Sequence, residues 1–309
     1  SNIVLYSHDN NNNNNNNNQN IYPLFKSTNV MLNTNDNQQQ GYIFKIKLIN
    51  LKFNTLNVDT SHILQSVING IIFDINTLSN LYQLELYNVY ISNTISQNGG
   101  AIYIKNNCYN CIIYNCTFFN TTALENGGAI YIGNEIRNIS IKHTNFFNTQ
   151  AIRFGGSIYI HERNIINIFQ YLKFINTTSG DSGGAIYLSR NNEIDLTNIT
   201  FNNCNAISGS GGGIYVENMN NIYMTYIIGR YCSAGTDTNL GTGGFMRLNS
   251  DNHIISKHIT ISNSFAWNGG VFDIGTNNYV SFESFLLEYN TVLISGAAFF
   301  ILSSNVINI

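Results

Sequence analysis

Reactive chemistry in this 309-residue chain would have to be assembled from few side chains, because only 14 are basic and 17 acidic, for a net charge of −3. Hydrolysis of a glycosidic bond generally needs two carboxyls at a set separation. Lyase chemistry on a sugar acid needs Asp, Arg, Lys or His gathered on one face, often with calcium. The acidic residues here are scattered, with no Asp-Asp pair. The nearest constellation is His161, Glu162, Arg190 and Glu217, which the repeat described below brings to neighbouring turns of the chain. Solvated polar residues at a strand end account for that cluster as well. P-loop, nucleophile-elbow and His-Glu-x-x-His motifs are absent. The chain therefore reads as non-enzymatic, with a carbohydrate-active lyase or hydrolase as a second alternative.

Five cysteines offer redox or metal chemistry. Cys204 and Cys232 lie one repeat apart, so they would stack in neighbouring turns at about strand spacing, within the Cα range of a disulfide. The other reading is two stacked small apolar side chains. Cys108 and Cys111 form a lone C-x-x-C near Cys116, too little for a structural zinc site, with a local disulfide as the alternative. No metal or other cofactor is expected, and an odd count leaves one thiol over. Asparagine starts Asn-x-Ser/Thr at Asn115, Asn120, Asn138, Asn176 and Asn198.

These residues take their places from the elements that carry them, and the elements repeat. GGAIYI begins at Gly99 and Gly127, GGSIYI at Gly155, GGAIYL at Gly183 and GGGIYV at Gly211. With weaker copies at Gly41, Gly70, Gly243, Gly269 and Gly296, successive starts lie 29, 29, 28, 28, 28, 28, 32, 26 and 27 residues apart. Counted from the first Gly, position 4 is Phe44, Phe73, Ile102, Ile130, Ile158, Ile186, Ile214, Met246, Phe272 and Phe299. Position 6 is always Ile, Leu or Val. Position 5 carries Lys45, Asp74, Arg247 and Asp273 among its tyrosines, Tyr103, Tyr131, Tyr159, Tyr187 and Tyr215. That alternation marks a strand with positions 4 and 6 inward. Burial of an unpaired charge is costly, so position 5 faces out.

A second template, apolar-x-apolar-x-x-apolar-x-apolar, appears as Leu51, Phe53, Leu56, Val58, then as Leu84, Leu86, Val89, Ile91, and again as Ile194, Leu196, Ile199, Phe201. It reads as two short strands around a two-residue corner. Strands this short form no stable sheet alone. Wound once per repeat, they stack like on like. The expected fold is all-β: a right-handed three-sided parallel β-helix of about ten coils of 26–32 residues over 41–309. Residues 1–40, with the run Asn10 to Asn18, are an Asn/Gln-rich segment, either a partial coil with an inserted loop or a tail. Because the last copy ends inside a coil, the chain reads as a segment of a longer protein.

On that frame the five tyrosines form an outward stripe at coil spacing. It could pack against another chain or stack sugars, or its rings could simply stabilise one another. Asn98, Asn126 and Asn268 precede Gly-Gly turns. Asn93, Asn120, Asn148, Asn176, Asn203, Asn263 and Asn290 would line one corner as an amide ladder. The charge balance excludes tracking of a phosphate backbone or an anionic membrane surface. No apolar run is long enough for a spanning helix.

The GGAI tetrapeptides, with Phe-x-Asn at Phe118–Asn120, Phe146–Asn148, Phe174–Asn176 and Phe201–Asn203, resemble the GGA[I/L/V] and F-x-x-N repeats of chlamydial polymorphic outer-membrane proteins. The likeness is good from Gly99 to Ile214 and weak on the flanks. The spacing differs, since only Leu287–Asn290 has the longer form. The resemblance implies a pectin-lyase-like β-helix in a surface or secreted adhesin, but no secretion route or catalytic residue carries over. The combined expectation is a non-catalytic extracellular scaffold, filament or adhesin stalk. Its partners would be other protein chains or copies of itself, with glycans on the tyrosine stripe as the alternative. Asn115, Asn138 and Asn198 are the glycosylation candidates, whereas Asn120 and Asn176 belong to the ladder.

Overall fold

The structure, a computed structural model describing residues 25–26, 44–54, 73–75, 82–106, 108–236 and 240–309, is an all-β parallel solenoid of about eight turns, with no helix among the described residues. Position 4 to 6 segments build the first sheet. It holds ten strands, from Phe25–Lys26 and Phe73–Ile75 through Ile102–Ile104 and Ile130–Ile132 to Phe299–Ile301. Equivalent residues pair: Ile130 lies between Ile102 and Ile158, and Tyr131 between Tyr103 and Tyr159. The rest of each repeat belongs to the second sheet. In one turn it comprises Arg137–Lys142, Asn145–Phe147 and the short Gln150–Ala151, a third run that the apolar spacing does not reveal.

In-register stacking follows from the side chains. Positions 4 and 6 are buried from Ile102 to Ile274, and the inward Phe of each Phe-x-Asn stacks on its copy. Phe118, Phe146, Phe174 and Phe201 follow one another at 5.1, 4.8 and 5.1 Å with planes within 13°. Each such ring, fully removed from water, contributes about 1.5–3 kcal/mol. The Asn two residues after each Phe sits at a corner with positive φ: 51° at Asn120, 52° at Asn148, 55° at Asn176 and at Asn203. Asn tolerates this region better than most residues. The Gly-Gly pair divides two tasks. Gly127 has φ 69°, and a Cβ on Gly128 would strike the carbonyl oxygen of Gly156 in the next turn.

Three expectations change. In the copy that begins with Gly41, position 4 does not start a first-sheet strand. Phe44–Ile49 lies in the second sheet, with Ile46 opposite Leu84 and Leu48 opposite Leu86, and the first-sheet strand before it is Phe25–Lys26. Ile46, Leu48, Leu51 and Phe53 match the second template as well as Leu51, Phe53, Leu56 and Val58 do, so periodicity alone could not choose the register. Asn290 leaves the exposed ladder. The longer Leu287–Asn290 spacing turns it inward, where its amide donates to the Ile261 carbonyl at 3.2 Å and its oxygen accepts from the Ser264 amide at 2.9 Å. The array has slightly fewer turns than its copies suggested. Of residues 1–40, only the strand Phe25–Lys26 is described, and the Asn10 to Asn18 run lies outside the described residues.

Candidate functional site in the tyrosine face and the corners

The tyrosine column is present but is not an exposed stripe. Tyr103, Tyr159 and Tyr187 are only 8, 8 and 7 % exposed, with Tyr131 and Tyr215 half-buried. The rings stack on one another at 4.8, 5.0, 5.3 and 4.9 Å, with interplanar angles of 28, 19, 14 and 8°. Between Tyr103 and Tyr215 the facing ring surfaces are thus taken by the rings of neighbouring turns. Phe154 adds a lateral wall 4.7 Å from Tyr187. The outward direction of position 5 was legible; its burial was not, because alternation reports direction and not what covers a side chain.

This covered face raises the phenol pKa values. Burial, then Glu217, pushes Tyr159 up to about 12, with the Ser189 hydroxyl and Arg153 pulling back. Tyr187 rises for burial and Glu217, and Tyr131 for burial and its neighbouring tyrosines, with Glu125 and Glu162 adding to it. The column continues as Arg247 and Asp273, an ion pair in which the carboxylate is 1 % exposed. Burial lifts the Asp273 pKa, and Arg247 and Thr242 pull it back. The Arg247 and Asp273 charges are therefore paired, and the carboxylate is buried, not hydrated.

Three members of the polar cluster beside the tyrosines are spent on structure. Glu217 accepts from Ser189 at 2.7 Å and pairs with Arg190 at 3.4 Å, and His161 Nδ1 is bonded to Asn134. Glu162 and Glu217 sit two turns apart and one residue out of register. Among the described residues no group of three His, Cys, Asp or Glu side chains is gathered to hold a metal. Likewise no helix among them is long and apolar enough to cross a membrane.

Cys204 and Cys232 do face each other in adjacent turns, yet they are free thiols, which corrects the expected bridge. In-register parallel strands hold equivalent Cβ atoms about 4.8 Å apart, whereas a disulfide wants about 3.8 Å. Each thiol instead donates to a carbonyl at 3.7 Å, of Phe174 and of Arg230 respectively. They continue a buried column of small side chains with Thr121 and Thr177. Burial pushes the Cys232 thiol up, with Cys204 adding to it, and pushes Cys116 up to about 11. The disulfide joins Cys108 and Cys111.

A second asparagine ladder was missed. Asn164, Asn192, Asn220, Asn252 and Asn278 are buried at the corner after the first sheet. Asn192 Nδ2 donates to Asn220 Oδ1 at 3.1 Å and to the His161 carbonyl at 2.7 Å, while its Oδ1 accepts from the Asn164 backbone and side chain at 3.0 Å each. Each of these residues follows position 4 by six, an offset visible in the sequence.

The corner between the two longer runs of the second sheet holds Asn115, His143, Tyr171, Asn198, Tyr226 and His258 in successive turns, all with φ between 50 and 56°. Of the three glycosylation candidates, Asn115 and Asn198 are here, and Asn138 lies inside the strand Arg137–Lys142 with φ 60°. Asn115 is committed, donating to Asn88 Oδ1 at 2.7 Å. Asn120 and Asn176 likewise donate along the exposed ladder at 3.1 and 3.2 Å.

No family model matches the chain, and neither the curated proteins nor the solved structures contain a match to it.

Proposed function

We propose that this chain is a non-catalytic extracellular solenoid, a scaffold, filament or adhesin-stalk segment that assembles with further chains or with copies of itself. The observation that carries the reading is the use made of polar and aromatic side chains. The tyrosines stack on tyrosines, the asparagines bond asparagines, and Arg190 pairs with Glu217 beside them. Such a body resists bending along its axis and keeps lateral faces in a fixed repeat. The resemblance of the GGAI and Phe-x-Asn repeats to those of chlamydial surface proteins supports a cell-surface or secreted setting.

Glycan binding by the Tyr103 to Tyr215 column is disfavoured, because sugars stack on ring faces and these faces are occupied. Electron microscopy of the native particle tests the proposal. Rods joined end to end or side by side, which cleave no member of a polysaccharide panel with or without calcium, are expected. Isolated monomers, or release of reducing ends from any polysaccharide, would overturn it.

A further inference from the structure

The exposed corner contains an aromatic arrangement unlike the stacked column. His143 lies on Tyr171 with ring centroids 4.6 Å apart and planes 15° apart. Two turns on, His258 lies on Tyr226 at 4.6 Å and 13°. Between them the corner residue is Asn198, which is shorter and carries no ring. Each tyrosine therefore has its outer face backed by a histidine, and its inner face, toward Asn198, meets no other ring among the described residues. The two rings are 46 and 52 % exposed.

Two turns of a parallel stack separate these rings by about 9.6 Å. That is beyond the 4.5–7 Å of direct aromatic pairing. It is wide enough for one saturated six-membered ring touching both faces. The floor is polar and uncommitted. Unlike the amides of Asn115, Asn120 and Asn176, the Asn198 amide has no hydrogen-bond partner among the described residues.

We propose that the gap between Tyr171 and Tyr226 is a saccharide seat for one pyranose ring. The ring's C–H faces lie against the two phenols and a polar substituent meets the Asn198 amide. The sugar has two possible sources. It is one unit of a separate glycan, or it is linked to Asn198 itself, which opens the sequon Asn198-Ile199-Thr200. Linkage forms a bond from Nδ2 to the anomeric carbon, expels the diphosphate of a lipid-linked sugar donor and releases one amide proton, through a secretory transferase. The linked form rests on the extracellular reading, and the free form does not.

Two preparations separate the sources. Chain made without glycosylation in a bacterial host is titrated with oligosaccharides of N-acetylglucosamine, mannose and galactose, and contacts are read by saturation-transfer NMR. Chain secreted from eukaryotic cells is analysed for sugar at Asn198 by peptide mass spectrometry, and for Overhauser effects between sugar protons and the Tyr171 and Tyr226 rings. The expected result is ring-to-sugar contact in at least one preparation. In the first, Tyr171→Ala or Tyr226→Ala weakens binding at least tenfold, while Tyr171→Phe and Tyr226→Phe retain it. In the second, either alanine removes the ring contact. Binding only to the bacterial chain supports the seat and assigns it to a separate glycan. No ring contact in either preparation, or binding unchanged in both alanine variants, overturns the seat. Unchanged circular dichroism of these surface variants excludes unfolding as the cause.

Discussion

At the scale of single residues, the two asparagine ladders have the same chemistry and different energetic weight. Asn192 is buried and satisfies four polar groups, so Asn192→Ala strands several of them out of water, at about 1–3 kcal/mol each. Asn148 is exposed, and water replaces its ladder bonds. Chemical unfolding should therefore show Asn192→Ala destabilised by at least about 2 kcal/mol and Asn148→Ala by under about 1 kcal/mol; equal losses would reject the distinction. The thiols allow a second check. Cys116, Cys204 and Cys232 are buried, with Cys116 and Cys232 raised in pKa, so a disulfide-exchange reagent at pH 8 should find no reactive thiol until the chain unfolds, then three. The Arg247–Asp273 pair gives a third. Arg247→Met leaves a buried carboxylate without its partner and should cost about 3–5 kcal/mol, whereas Arg247→Tyr with Asp273→Tyr, extending the ring column, should recover most of it. A double variant no more stable than the single one would contradict that reading.

At the scale of elements, the tyrosine column behaves as a ring stack shielded from water. Its folded phenols hold their protons more tightly than unfolded ones do, with Tyr159 at about 12 and Tyr131, Tyr187 and Tyr215 also raised. The column's contribution to stability should thus be constant below about pH 10, the ordinary phenol value, and fall as the pH rises toward the folded values. Replacing Tyr131, Tyr159 and Tyr187 by Phe together should flatten that fall, measured by urea unfolding at pH 8, 10 and 11; parallel losses in parent and variant would contradict it. Much of this element was legible in the sequence. Gly-Gly starts, inward positions 4 and 6 and the Phe-x-Asn corner follow from side-chain period and turn chemistry. The covering of position 5 was not legible, because it comes from identical rings one strand spacing apart and from walls such as Phe154 in another part of the repeat. The register of Ile46 to Phe53 was ambiguous for a similar reason: one template fits it in two frames. Nor could spacing weigh the Cys204–Cys232 bridge, since it brings the Cα atoms close but says nothing about parallel Cβ vectors.

At the scale of the whole molecule, every conclusion depends on one geometric claim: each repeat makes one turn and lies in register on the last. The buried core, both asparagine ladders, the stacked tyrosines and the gap between Tyr171 and Tyr226 all require it. The exposed corner that holds Asn93, Asn120, Asn148 and Asn263 allows a direct test, since spin labels placed there disturb no core contact. Pulsed electron paramagnetic resonance would pair a label at Asn263→Cys with one at Asn148→Cys, Asn120→Cys or Asn93→Cys, with the native thiols replaced. These positions are four, five and six turns away, so the distances should be about 19, 24 and 29 Å, rising by about 4.8 Å for each added repeat whatever the linker length. Distances that fail to rise in equal steps, or broad distributions unrelated to repeat number, would contradict the stacked solenoid and the functions proposed for it.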